Sequence, residues 1–235
     1  MPVSKLAFEG WLYQICNGEI PPLSVLSRAS GLSKAAISIQ RTKNAIQPNT
    51  IVKLSRGYGL NPLQELSRFD GYQGLWPVPE IRKHLLLTLV PIVELIKELL
   101  YRSGDIRDPR PQNLHPPKDA LIRWADRIGP DLDRKTAAEG LGMRAENLSR
   151  DLNSRKLSLN HIIAYAQLAG EHPALGLCAA GWLEPEELPG VASLRQEMQA
   201  CTARRIGDEL EASKRYIKST FESIITEDDM HGKLG

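Results

Sequence analysis

Between Arg144 and Asn153 the chain spaces Arg144, Asn147, Ser149, Arg150 and Asn153 so that a helix gathers them outward, while Leu148 and Leu152 fall inward. An arginine fork matches the two acceptors of guanine, and an asparagine amide matches the donor and acceptor of adenine. The chemistry such a face can do is reading base edges in a major groove. Glu146, Arg155 and Lys156 complete the contact set expected of this stretch. An earlier stretch carries Ser33, Lys34, Ala35, Ser38, Arg41, Thr42 and Lys43, which are mostly smaller. It suits close approach or contact with a thymine methyl. The expected division is affinity from the first stretch and discrimination from the second.

Charge supports the same chemistry independently. From Pro21 to Gln64 there is no Asp or Glu, while Arg28, Lys34, Arg41, Lys43, Lys53 and Arg56 are basic. The whole chain is nearly balanced, with 30 Lys and Arg against 28 Asp and Glu, so the basic character is local. A solvated basic surface usually carries interspersed acids; a run without them is the footprint of a phosphate-binding face. Arg134 to Leu183 is milder, with six basic and four acidic residues.

Other chemistries lack their residues. His84, His115, His161, His172 and His231 are scattered, and none makes a metal-ligand spacing with cysteine or acid. Cys16, Cys178 and Cys201 form neither a zinc spacing nor a disulfide framework, so a reducing cytoplasm is the expected setting. No phosphate-loop or dinucleotide-binding glycine motif occurs. No enzyme activity, metal or cofactor is therefore expected. The amino terminus, MPVSKLAFEGWL, has no basic region followed by an apolar signal core. The apolar run His84 to Leu100 carries Glu94, Lys97 and Glu98 as well as Pro91, and falls short of the roughly 20 apolar residues that span a bilayer. A helix buried on most of its circumference is expected there, with no membrane contact.

Helices must position these side chains. Leucine outnumbers valine 33 to 7, a balance that favours helices over a β-sandwich or barrel. Prolines and glycines cut residues 4–72 into short helices. One long apolar helix is expected from Pro79 to Tyr101, and an extended spacer over Ser103 to Pro117, where prolines stand at 109, 111, 116 and 117. Short helices resume from Asp119 to Leu183, and a last helix runs from about Ala192 to Ile225.

The two blocks of short helices look alike. Trp11 and Ile15 match Trp124 and Ile128. Gly31, Ile37, Ser38, Ile51-Val52, Gly59, Pro62 and Leu66 match Gly142, Leu148, Ser149, Ile162-Ile163, Gly170, Pro173 and Leu177 at a constant offset of 111. A duplication accounts for the coincident glycines and prolines; unrelated amphipathic helices are the plainer alternative. Within Leu23 to Thr42 a helix meets a turn at Gly31, and Ser33 caps a second helix. Ser27 provides a small site for close helix approach, and Ile37 points inward. Arg134 to Asn153 repeats this with Ala138, Gly142 and Leu148.

These residues resemble the Cro/repressor family of helix-turn-helix proteins, common in phage repressors and their bacterial relatives. The likeness extends to the following helix, TIVKLSRGYGL after Gln47-Pro48-Asn49 and its counterpart in SRKLSLNHIIAYAQLAG, and covers about half of the chain. The chain departs from the pattern at Gln40 and Asp151, where an apolar residue is usual. Leu152 can fill that place one position later; Arg41 cannot, which leaves the register of the first recognition helix open.

The fold expected is all-α. It comprises one helix-turn-helix domain over 1–76, a long helix and proline-rich linker over 77–118, a second helix-turn-helix domain over 119–184, and a C-terminal amphipathic helix within 185–235. What the resemblance implies is a cytoplasmic, nucleoid-associated regulator that binds double-stranded DNA sequence-specifically. Repression of a phage or mobile genetic element is its expected role, by blocking polymerase. A transcriptional activator contacting RNA polymerase, or a protein-binding adaptor or antitoxin, are the alternatives. The last helix carries a stripe of Leu194, Met198, Cys201, Ile206, Leu210, Ile217, Phe221 and Ile224. A homodimer through this helix or the 79–101 helix is the expected assembly; packing onto its own chain is the other fate of such a stripe. The residues from Glu184 onward are too few, and too helical in pattern, for a self-cleaving peptidase domain.

Overall fold

A computed structural model describes residues 1–107 and 114–218, and all its regular elements are helical. The chain divides after Pro79 into two compact units.

The first unit, Met1–Pro79, holds five α-helices and a 3-10 turn over Gln73–Leu75. α1 (Lys5–Ile15) starts where the Ser4 hydroxyl accepts from the Ala7 N–H at 3.2 Å, and buries Phe8, Trp11 and Leu12. α2 (Leu23–Ser30) ends at Gly31, whose φ of +67° is a left-handed conformation that glycine adopts without Cβ strain. α3 (Lys34–Thr42) follows at once. α4 (Pro48–Gly57) begins on a proline, whose missing N–H costs nothing in a first turn. α5 (Pro62–Leu66) is capped by Asn61, which accepts from the N–H groups of Leu63 and Gln64. Val3 and Ile46 exchange two backbone hydrogen bonds of 2.8 Å, tying the amino terminus to the loop before α4. Beneath α1, the Trp11 indole N–H donates to the buried Glu65 carboxylate at 2.8 Å, and Arg68 neutralises that charge at 3.0 Å.

The second unit begins at Glu80. Its first stretch is not the single long helix expected. α6 (Lys83–Leu86) passes into a 3-10 turn over Leu87–Leu89, and the helix restarts as α7 (Ile92–Ser103). Pro91 is the cause: its ring blocks the preceding turn and it has no N–H to donate, so it serves as the boundary of α7. Nor does the proline-rich segment separate the two units, since both sides of it belong to the second. Residues 108–113 of that spacer, with Pro109 and Pro111, lie outside the described residues; Leu114 beyond them is buried.

Then come α8 (Ala120–Ile128), α9 (Arg134–Gly140), α10 (Ala145–Asn153), α11 (Leu159–Leu168) and α12 (Ala174–Ala179). The bounds of α10 and α11 fall 111 positions after those of α3 and α4 at both ends. Positive φ recurs at the same offset: Gly31 and Gly142, Asn44 and Arg155, Gly59 and Gly170. The backbone thus repeats in a register that the side chains carry only weakly.

One helix crossing is shared in geometry and reversed in chemistry. A Cβ at Gly57 would sit 2.2 Å from the Ala29 carbonyl oxygen, so α2 and α4 meet where α4 has no side chain. In the second unit the equivalent pair is Gly140 and Leu168, with the glycine on the other helix; a Cβ at Gly140 would lie 2.8 Å from a Leu168 methyl. The Ser27 hydroxyl donates to the Leu32 carbonyl at 2.7 Å and closes the turn.

The C-terminal part breaks into α13 (Leu194–Ala200) and α14 (Ala203–Ala212), because Cys201 is extended and Thr202 caps the second helix. Leu194, Met198, Cys201 and Ile206 are buried within their own unit. The first four residues of the expected dimer stripe are thus spent on internal packing, while Leu210 and Ile217 are half-buried; Phe221 and Ile224 lie outside the described residues. Arg102 of α7 donates to the carbonyls of Cys201 at 2.7 Å and Gln199 at 3.0 Å, satisfying the end of α13.

Arg123 of α8 is the polar centre of this unit, at 2% exposure. Its guanidinium donates to the carbonyls of Val90 at 2.8 Å and Leu87 at 3.0 Å, and to the buried Glu209 carboxylate of α14 at 2.9 Å. Arg127 reaches the other Glu209 oxygen at 3.3 Å. Deleting Arg123 leaves the buried Glu209 carboxylate with only the half-exposed Arg127 as a cation beside it; a wholly unpaired buried charge costs about 3 to 5 kcal/mol. Arg123→Ala is therefore expected to lower the urea midpoint of the second unit, followed by the fluorescence of Trp124 and Trp182, and to leave that of the first unit unchanged. An unshifted second transition would show that the pair does not hold α14 in place.

Candidate nucleic-acid interface

α3 is held by its inward side alone. Ser33 caps it, its hydroxyl accepting from the Ala36 N–H at 3.1 Å, and Ile37 is its one buried side chain. Gln40, where an apolar residue is expected, has a polar task. Its carbonyl accepts from the Gln47 N–H and the Thr50 hydroxyl, both at 2.8 Å, and so fixes α3 to the start of α4. The matched bounds of α3 and α10 put both helices in one register.

Of the residues expected to make contacts from this helix, Ser33, Lys34, Ala35, Thr42 and Lys43 are exposed and Ser38 is half-buried. Arg41 differs. Its guanidinium binds the Glu9 carboxylate of α1 through Nε at 3.2 Å and through Nη2, and both side chains are largely shielded. Arg41 is a tie between α1 and α3 rather than an outward cation. No sequence rule links positions 32 apart, so the pair is invisible before folding. Sequence reasoning also passes over Ile39, which stands outward at 53% exposure.

α10 is built on the same plan, with Leu148 and Leu152 fully buried, so Leu152 fills the inward place as expected. Arg144 is its N-cap residue, its side chain making no cap bond. Arg144, Glu146, Arg150, Asn153 and Lys156 are exposed; Asn147 and Ser149 are half-buried. Arg150 rests on the neighbouring Asp151 at 3.1 Å, and the Asn153 amide donates to the Ser149 carbonyl at 2.8 Å. Both bonds are solvent-exposed and local, hence readily exchanged for another partner.

Arg155 departs from expectation more sharply. It sits at φ +53°, and its guanidinium donates to the Pro116 carbonyl at 3.0 Å. Burial pulls its pKa below the ordinary arginine value. It anchors the loop after α10, as Asn44 does after α3 by accepting from the Lys5 N–H at 2.6 Å. Arg155 therefore leaves the set of residues that face outward from the second stretch.

Positive charge is concentrated in the first unit. It has eight Lys and Arg against four Asp and Glu, and two of those acids, Glu9 and Glu65, are already consumed by Arg41 and Arg68. Arg28, Lys34, Lys43 and Arg56 are exposed, with Lys53 half-buried. Comparison with family models, with curated proteins and with solved structures finds no match. No helix among the described residues is long and apolar enough to cross a membrane.

The Glu9–Arg41 pair makes a measurable claim. A half-shielded ion pair contributes about 0.2 to 1 kcal/mol, near the upper end when the arginine binds through two nitrogens. A double-mutant cycle of Glu9→Ala and Arg41→Ala, read by urea unfolding of the first unit, is expected to give a favourable coupling of that size. Strict additivity would return Arg41 to the set of outward cations.

Proposed function

We propose that this chain is a sequence-specific DNA-binding regulator of the helix-turn-helix type, with α3 and α10 as recognition helices that enter major grooves. One observation carries the reading. Two nine-residue helices, set by the same turn and in the same register, are each fastened by inward side chains only and leave an outward face free. The acid-free run over the first of them supports phosphate binding, and the resemblance to Cro-type repressors supports repression as its effect on transcription.

The two faces differ, so the site they read is asymmetric or composite rather than a palindrome read by two copies of one helix. α10 offers the bidentate groups: Arg150 for guanine, Asn147 and Asn153 for adenine. α3, flanked by Lys34 and Lys43, supplies positioning. A protein-binding role for the second repeat is the competing reading, favoured by its nearly balanced charge and by Glu146 on its outward face.

Selection of duplexes from a random library by the full chain, with affinities measured at two salt concentrations, tests the proposal. Lys34→Ala with Lys43→Ala is expected to weaken binding to every duplex and to reduce the salt slope by about 0.9 for each phosphate that is no longer neutralised. Asn147→Ala or Arg150→Ala is expected to weaken the selected duplex about tenfold or more, as removal of a bidentate base pairing does, and to weaken unrelated duplexes far less. Folded Asn147→Ala and Arg150→Ala chains that keep full affinity and the same selected sites would leave the first repeat as the sole reader. Absence of any duplex binding at low salt would remove the proposal.

A further inference from the structure

We infer that Ile39 is a specificity determinant of the first repeat, reading the 5-methyl group of a thymine in the major groove. This rests on the DNA reading proposed above and assigns to one side chain what α3 recognises.

Ile39 has no evident folding task. It is 53% exposed, whereas Ile37, Ile46 and Ile51 in the same unit are fully buried. A β-branched residue on a helix surface contributes neither strong helix propensity nor burial. Its neighbours explain it better. Ala35, Ser38, Ile39 and Thr42 stand at helical spacings of three, four and seven, and so line one outward face opposite Ile37. That face has no acid and no group able to make a bidentate bond. Alanine and serine let the helix backbone come close, and lysines 34 and 43 bracket it with positive charge. An apolar-centred face between two cations is complementary to a groove whose walls are phosphate and whose floor bears a methyl. The equivalent position on α10 is Arg150, so the two repeats place a methyl reader and a guanine reader on the same site of the same scaffold.

The test uses the full chain and the duplex it selects from a random library. Each thymine is replaced in turn by deoxyuridine, which deletes the methyl and leaves base pairing intact. Wild type is expected to lose about fourfold in affinity at one or two thymines, the change matching one methyl-sized group of about 0.8 kcal/mol removed from water. Ile39→Ala is expected to bind more weakly and to treat thymine and uracil alike at those positions. Arg150→Ala should keep the full methyl response, since it acts on the other repeat. Wild type and Ile39→Ala responding alike at every thymine, or no position responding, would overturn the role of Ile39 while leaving DNA binding in place. Failure to select any duplex would instead overturn the underlying reading.

Discussion

A helix of nine residues does not stay wound in water by its own hydrogen bonds, so its position is decided by what it buries. α3 buries Ile37, and α10 buries Leu148 and Leu152. Everything on their outward faces depends on those few anchors. The positive-φ glycines at 31 and 142 make the preceding turns tight enough that the anchors reach the core. Gln40 then binds α3 to the next helix through two hydrogen bonds, a polar substitute for an apolar contact. An outward face free of structural duty is a consequence of this economy of inward contacts. It is the condition for such a helix to bind anything in a groove.

Much of this plan is legible in the residues, and the reason is locality. Turn glycines, the Ser33 cap, inward Ile37 and Leu148, and the constant offset between repeats all act within a few positions of where they are read. Pro91 is visible too, but the apolar run around it hides its effect: a proline inside such a run ends the helix before it. What stays hidden depends on partners remote in the chain. Arg41 reads as an outward cation until α1 brings Glu9 beside it. Arg155 reads as a phosphate ligand until the segment at Pro116 takes its guanidinium. The stripe on the C-terminal helices reads as free for a second copy, because nothing in its period says that α6 and α7 fold under it.

The two units solve the stability of one motif differently. The first encloses its repeat in 79 residues, with Glu65 as its main buried charge, neutralised by Arg68 and hydrogen-bonded by the Trp11 indole. The second adds the stretch from Glu80 and the helices α13 and α14, and closes them around α8 through Arg123. A guanidinium with two backbone carbonyls and a carboxylate has little freedom to choose other neighbours. It selects one arrangement of three segments among the several that leucine-rich surfaces alone would tolerate. Leu87 and Val90, whose carbonyls it uses, flank the break before Pro91. The interruption in the apolar run thus supplies the acceptors that an unbroken helix would have kept for itself.

The reversed glycine at the helix crossing limits how the repeats can exchange parts. Ala29 faces Gly57 in one, and Gly140 faces Leu168 in the other. Joining α9 to α4 would set glycine against glycine and leave a gap; joining α2 to α11 would bring alanine against leucine, whose exposed side chain would have to turn aside. If both repeats descend from one ancestor, these two routes were not equal. The path through two glycines passes a loosened chain, while the path through alanine and leucine passes a crowded one. Sterics at a single crossing would then make the helices of each repeat a matched set.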